Sequence, residues 1–302
     1  MTRPTVPFSF EVFPARSSAA ALSLGHTVQH LAAAGPAFIS VTYGANGSSR
    51  ESSLELLKYI RQHTDARPLA HLTSIGSTRA QIERLVRDFW AAGVYDFLAL
   101  RGDPPRGVAE EDVDLGELHS TVQLVQLIRS IIEEQSAITG DIPHPGGQVC
   151  IAAFPTGHPR AVNPRDDIDA LLEKQRVGAE FGITQLFFHA DDYLTHVEKA
   201  REAGVTIPIL PGLMPVSTSA QLLKVAELAG QEAPSDLLAK LTEAGGYAPE
   251  CGIDHTTQLA TDLIAAGAPG VHLYTFNRHQ SSLAVLRELG LLTTHPFEKE
   301  LV

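Results

Sequence analysis

Residues 98–105 read LALRGDPP, an apolar run that ends in Arg101, Gly102 and Asp103. An apolar strand has no structural use for an arginine and an aspartate at its end, whereas a site for an anionic, redox-active ring does. A guanidinium offers a fixed fork of donors to an anion, and charge beside such a ring tunes its chemistry. A second candidate stands near the start of the chain, in SFEVFP. Strand alternation sets Ser9, Glu11 and Phe13 on one face and Phe8, Phe10 and Val12 on the other, so Glu11 can point into a barrel. Burial penalises an ionised carboxylate and favours its protonated form, which a general acid requires. The plainer reading, a strand glutamate facing solvent or paired with a base, stays open on spacing alone.

The elements that must position these groups follow one repeated pattern. Short β-rich runs at 7–13, 37–43, 68–73, 96–100, 148–154, 183–189, 207–210 and 270–276 alternate with amphipathic helical stretches such as 80–92 and 166–179. Eight βα units without a change in composition predict an α/β fold, a single (βα)8 TIM barrel over residues 1–302. A doubly wound dinucleotide fold would carry G-x-G-x-x-G after its first strand, and the sequence has none. The stretch 231–254 exceeds one connection, so an extra short helix is expected at 234–243, before the eighth unit. The long connections 103–117 and 135–147 read as lids or surface loops.

In such a barrel the strand C-termini carry function, and here they are polar: Thr42 and Tyr43, His71 and Thr73, Arg101 and Asp103, His158, His189, Asn277 and Arg278. Taken singly, His71 and His158 read as core or capping histidines, and Lys174 as a solvated helix residue. His189, Asp191 and Asp192 suggest a metal, but the aspartates more simply begin the next helix as caps, so no metal is expected. The net charge of −12 and the absence of a Lys/Arg cluster exclude a general nucleic-acid binder. Two cysteines, Cys150 and Cys251, do not suggest a disulfide framework. With no signal-like start and no apolar run of membrane-spanning length, a cytoplasmic protein without a membrane partner is expected.

Together the blocks SFEVFP, SVTYGANG, AHLTS, LALRGDPP, IAAFPTGHP, KQRVGAEFGITQ, LPGLMPVS and LYTFNR, in order and near successive strand ends, resemble the methylenetetrahydrofolate reductase family in its bacterial, single-barrel form. The resemblance implies an oxidoreductase of one-carbon metabolism and methionine biosynthesis. It passes hydride from NADH or NADPH through FAD, in ping-pong order, to 5,10-methylenetetrahydrofolate, a small-molecule partner, giving 5-methyltetrahydrofolate. It assigns Glu11 as general acid and Asp103 as a second catalytic residue near the flavin pyrimidine edge. Thr42, Tyr43, Gly44, Ala45, His71, Arg101, Gly102, Asp103, Ala152, Phe154, His158, Asp167 and Lys174 match flavin-contacting positions. Glu11, Gln185, Ser219, Tyr274, Phe276 and Arg278 match positions at or near the substrate. A glutamine donates and accepts at once, as a pterin edge requires.

Three residues depart from the family pattern: Ser219 where an aromatic is usual, Thr156 where glutamate is usual, and Val12 in place of the second aromatic of SFEVFP. They point to altered substrate affinity rather than lost chemistry. Two alternatives stand beside this reading: a flavin-free or deazaflavin-dependent methylene-tetrahydropterin reductase, and a non-catalytic folate- or flavin-binding barrel subunit. Retention of the flavin-contact blocks disfavours the first, and retention of Glu11 and Asp103 the second. Nicotinamide preference and oligomeric state, including homo-oligomerisation, stay open.

Overall fold

The computed structural model describes residues 6–42, 47–102, 114–139, 147–158, 161, 163 and 165–292. Its strands are β1 (Phe8–Val12), β2 (Ile39–Val41), β3 (Pro68–Thr73), β4 (Asp96–Leu100), β5 (Val149–Ala153), β6 (Phe181–Thr184), β7 (Ile209–Leu210), β8 (Gly212–Leu213) and β9 (Val271–Tyr274). All pair in parallel in one sheet of order β7-β6-β5-β4-β3-β2-β1-β9-β8. Only Pro211 separates β7, which pairs with β6, from β8, which pairs with β9. The two are halves of one seventh barrel strand, so the sheet closes into a TIM barrel. Proline cannot donate to a ladder. The chain passes the break through its acceptor, the Pro211 carbonyl, which receives His272 N–H at 2.9 Å.

The helices are α1 (Ser18–Ala33), α2 (Gly47–His63), α3 (Arg79–Ala91), α4 (Thr121–Thr139), α5 (Asp166–Arg176), α6 (Ala190–Glu202), α7 (Ser219–Ala229), α8 (Ser235–Glu243), α9 (Pro249–Ala265) and α10 (His279–Glu288). α3 shows how the sequence writes them. Thr78 and Gln81 form a reciprocal capping box, and Ile82, Val86, Phe89 and Trp90 recur at helical spacing and are buried. The extra helix expected at 234–243 is α8, entered from Pro234.

Four expectations shift. The sixth strand, expected at 183–189, is Phe181–Thr184. Leu186, Phe187 and Phe188 are apolar because they are buried in the core beyond the strand end, not because they pair in the sheet. The seventh strand, expected as one run at 207–210, is split and continues into Gly212–Leu213. The connection expected from residue 135 begins later, because α4 runs to Thr139; residues 140–146 of it, and 103–113 of the earlier one, lie outside the described residues. Asp191 and Asp192 sit in the first turn of α6, and the N-cap position is His189, without a side-chain cap bond. The carboxylates therefore act on the helix dipole rather than as caps.

The outward faces of the strands pack against the helices in one large core that includes Phe10, Ile39, Leu72, Phe97 and Ile151. Inside the barrel, Phe38, Leu69, Leu98, Cys150, Phe181 and Ile183 form a separate apolar plug. On α6, His196 is only 5% exposed. Burial drives its pKa down to about 4, with Asp167 opposing and Lys199 assisting. Below the ordinary value of 6.5 the unfolded chain therefore binds a proton that the folded chain refuses, and stability falls with pH until about 4. Urea unfolding at pH 7 and pH 5 measures this. His196→Gln is expected to reduce the loss between the two by about 2 kcal/mol, and an unchanged loss would contradict it.

Candidate active site

Glu11 lies in the inward-facing row of β1, paired in register with Ser40 of β2 and Tyr274 of β9. Its backbone carbonyl accepts the Thr275 hydroxyl at 2.7 Å, which ties the first strand to the end of the eighth. The side chain is 19% exposed, and its Oε2 lies 3.5 Å from His71 Nε2 and 3.8 Å from His272 Nε2. Neither nitrogen has a hydrogen-bond partner among the described residues. Burial lowers the pKa of His71, with Glu11 opposing and His272 reinforcing, so the ring is neutral at neutral pH. The carboxyl is thus flanked by imidazoles rather than fixed by a permanent cation.

The hydroxyl of Tyr274, the residue expected at or near the substrate, donates to the Thr184 carbonyl at 2.7 Å. Gly212 N–H donates to the Thr184 hydroxyl at 2.8 Å, so one threonine bridges the gap beside Pro211. A side chain at Gly212 would collide with the Tyr274 ring. Burial raises the Tyr274 phenol well above its ordinary range, with Glu11 and Cys150 adding to the effect.

A second group gathers at the end of β5. Ala152, Phe154, His158, Asp167 and Lys174 line a cavity of about 220 Å³. Asp167 accepts the His158 backbone N–H at 2.7 Å, and the Phe154 and His158 rings meet edge to face with centroids 4.5 Å apart. Burial lowers the Lys174 pKa, opposed by Asp167 and Glu173. Sequence alone makes Lys174 a solvated residue, yet it belongs to this wall. Beside this group, just past the neighbouring β4, Gly102 has φ +95°, and a Cβ there would press on Ile75 and Thr73. Only glycine fits there.

The third group lies where β8 and β9 end. Phe276, Arg278, Thr218 and Gln221 line one pocket of about 280 Å³ with Pro215, Ser217 and three residues following β9. Phe276 and Asn277 have positive φ, 49° and 58°, and Phe276 is 44% exposed. The Asn277 side chain holds both backbone groups of Phe13, accepting from its N–H at 2.9 Å and donating to its carbonyl at 2.7 Å. Ser219 opens α7 and does not line this pocket; its backbone N–H donates to Gly246 at 3.3 Å. Gln185 is exposed just past β6, its side-chain oxygen accepting the Leu186 N–H at 2.9 Å. Thr42 and Arg101 end β2 and β4 on the same face. Tyr43, Gly44, Ala45 and Asp103 lie outside the described residues. Among the described residues, no group of His, Cys, Asp or Glu could hold a metal, and no helix is long and apolar enough to cross a membrane.

The methylenetetrahydrofolate reductase family profile matches residues 2–290. The chain belongs to the methylenetetrahydrofolate reductase family. It is 30% identical over 286 residues to the 5,10-methylenetetrahydrofolate reductase of Salmonella typhimurium, covering 94% of this chain and 90% of that one. Similarity to the Escherichia coli enzyme of the same name is 29% over 286 residues, with the same coverage. Against the Zea mays methylenetetrahydrofolate reductase (NADH) 1, identity is 29% over 297 residues, 94% of this chain and 48% of that protein. Among solved structures, a Clostridium thermocellum protein described as binding two copies of 5-methyl-5,6,7,8-tetrahydrofolic acid superposes with a TM-score of 0.63. The match covers 96% of this chain and 95% of that one at 12% identity, a likeness of fold.

His272 escaped the sequence reading. The available signal was its position two residues before Tyr274 in an alternating strand, which places both on the inward face.

Proposed function

We propose that this member of the methylenetetrahydrofolate reductase family reduces 5,10-methylenetetrahydrofolate to 5-methyltetrahydrofolate with a nicotinamide reductant and FAD, in the cytoplasm. The observation that carries the reading is Glu11, an inward-facing, four-fifths buried carboxyl between two imidazoles at the mouth of a barrel of this family. Opening the methylene bridge leaves an amine nitrogen that must gain a proton, and a positioned carboxylic acid supplies one. NADH is the favoured reductant, as the names of the Zea mays and Arabidopsis thaliana relatives state for those proteins.

The residues present suit a flavin dinucleotide. Arg101 and Lys174 bring positive charge to its pyrophosphate in an acidic protein, since local potential outweighs net charge. The small Ala152 in the cavity wall at the end of β5 suits a flat ring beside it, and Asp167 holds the His158 turn in place. Bound flavin would supply a carrier that accepts hydride in one half-reaction and gives it up in the other. Phe276 and Arg278 suit the aryl and carboxylate portions of a folate, and Gln185 the pterin edge.

The test is direct. The purified protein is expected to be yellow, with about one FAD per chain, and to oxidise NADH in the presence of methylenetetrahydrofolate. Arg101→Ala is expected to lose most of its flavin on gel filtration. A colourless protein that takes up no FAD yet reduces the folate would overturn the flavin reading.

A further inference from the structure

We infer that the ring of Tyr247 forms the second aromatic wall of the pocket at Phe276 and Arg278, where it holds the aryl group of the folate. The inference rests on the proposed folate reduction and adds to it a residue that sets substrate affinity. Among the described residues, the exposed large aromatic side chains are Phe13 at 37%, Phe276 at 44% and Tyr247 at 63%. An isolated exposed ring is ordinary on a protein surface. These three share one end of the barrel. Phe13 and Phe276 follow β1 and β9 and meet edge to face with centroids 6.0 Å apart. Tyr247 lies between α8 and α9, and the backbone carries it to the same end.

Past the end of α8, Gly245 and Gly246 take φ of +79° and +86°, a conformation that side chains resist, and turn the chain back. The turn then runs along the segment after β8. Ser219 N–H donates to the Gly246 carbonyl at 3.3 Å, and Ala248 N–H to the Ser217 carbonyl at 3.1 Å. These bonds flank an antiparallel bridge between Thr218 and Tyr247. A pair flanked in this way is of the non-hydrogen-bonded type, in which the two side chains come closest and share a face. Thr218 lines the pocket with Gln221, Phe276 and Arg278, so the Tyr247 ring stands at the rim of that pocket. The rim is held firmly: Thr218 Oγ1 accepts the Gln221 N–H at 3.0 Å, and Gln221 Oε1 accepts the Ser217 N–H at 2.8 Å.

The core does not need this ring. The neighbouring apolar cluster, which includes Leu186, Val216, Leu222 and Ala248, is buried without it. Ser219, where the family pattern has an aromatic, has no ring to stack and does not line the pocket. Tyr247 is bridged to the residue just before it, so the strap brings an aromatic within one position of the place that lacks one. The pocket also joins a cation to a ring, Arg278 to Phe276. A folate carries its aminobenzoyl ring beside a glutamate carboxylate. With the carboxylate on Arg278, the aryl group lies between Phe276 and Tyr247. Tyrosine suits that rim, since its ring packs on the ligand while its hydroxyl stays in water.

Tyr247→Ala in the flavin-loaded protein tests this. KM for methylenetetrahydrofolate is expected to rise by about fivefold, the weight of one aromatic contact, with kcat within about twofold of the parent. Calorimetric titration with 5-methyltetrahydrofolate should give a Kd raised by the same factor. Flavin reduction by NADH should keep its rate and its dependence on NADH concentration, and Tyr247→Phe should keep the parent's folate affinity. The thermal midpoint should stay in place, because the side chain is exposed. Unchanged KM and Kd in Tyr247→Ala would overturn the inference. So would a lowered midpoint accompanying the loss, the mark of a structural role. An equal loss in Tyr247→Phe would make the hydroxyl the contact, and an equal weakening toward NADH would make the ring a general part of the mouth; either overturns it too. Failure of the underlying reading is distinguishable: in that case the parent itself neither binds 5-methyltetrahydrofolate nor oxidises NADH in the presence of methylenetetrahydrofolate.

Discussion

Glu11→Gln is expected to slow reoxidation of the reduced flavin by methylenetetrahydrofolate by about 10² or more, while flavin reduction by NADH stays within a few-fold of the parent. Glutamine keeps the size and hydrogen-bonding capacity of the side chain but has no acidic proton. Hydride transfer from the nicotinamide needs no proton from this position, whereas opening the methylene bridge does, so the two half-reactions should separate. Rapid-mixing absorbance at the flavin bands follows each alone. The surroundings make the split clean. The carboxyl contacts imidazoles at 3.5 and 3.8 Å rather than a lysine or arginine, so no cation is stranded by the substitution. Equal slowing of both half-reactions would make Glu11 a support of the flavin or the barrel, and no slowing would place the proton elsewhere.

What could be read from the sequence divides along physical lines. β3 and β4 coincide to the residue with the expected runs 68–73 and 96–100. Strands buried on both faces of a parallel sheet are written as continuous apolar runs with sharp ends. The same rule misled at the sixth strand, because Leu186, Phe187 and Phe188 are as apolar as a strand while filling the core beyond it. The split of the seventh strand was signalled by Pro211, which cannot donate within a ladder, but a two-residue strand is too short for periodicity to show. The cluster at Ala152, Phe154, His158, Asp167 and Lys174 was expected through resemblance and is brought together around one cavity. Lys174 alone would have been assigned to solvent. The contacts of Glu11 with His71 and His272 were not legible, since they join positions 60 and 261 residues apart by numbering. Only closure of the barrel, with β1 between β2 and β9, creates them.

The packing of α9 on the segment after β8 sets the second large effect. Gly252→Ala is expected to lower unfolding stability by about 3 kcal/mol or more. Gly252 lies in the first turns of α9 and is buried, and a Cβ built there runs into the Val216 carbonyl oxygen and crowds the Val216 carbonyl carbon and amide nitrogen. A flexible side chain could rotate away from the added methyl, but this backbone cannot. It is held on both sides: Thr256 donates to the Met214 carbonyl at 3.2 Å, and Ala248 N–H donates to the Ser217 carbonyl at 3.1 Å. Relief would therefore have to move α9 or residues 214–217, the segment that leads to Thr218 and Gln221 in the pocket beneath Arg278. Gly25→Ala is the control. It lies within α1 with only the end of the Tyr59 side chain nearby, its hydroxyl at 3.5 Å, and is expected to stabilise by about 0.5 to 1 kcal/mol through helix propensity and a less free unfolded chain. Urea denaturation of the two variants against the parent measures both. If Gly252→Ala retains its midpoint, α9 is free to slide and does not brace the pocket at Arg278. If it is destabilised yet keeps its flavin, the brace acts on the β8 side of the mouth and leaves the Lys174 wall intact.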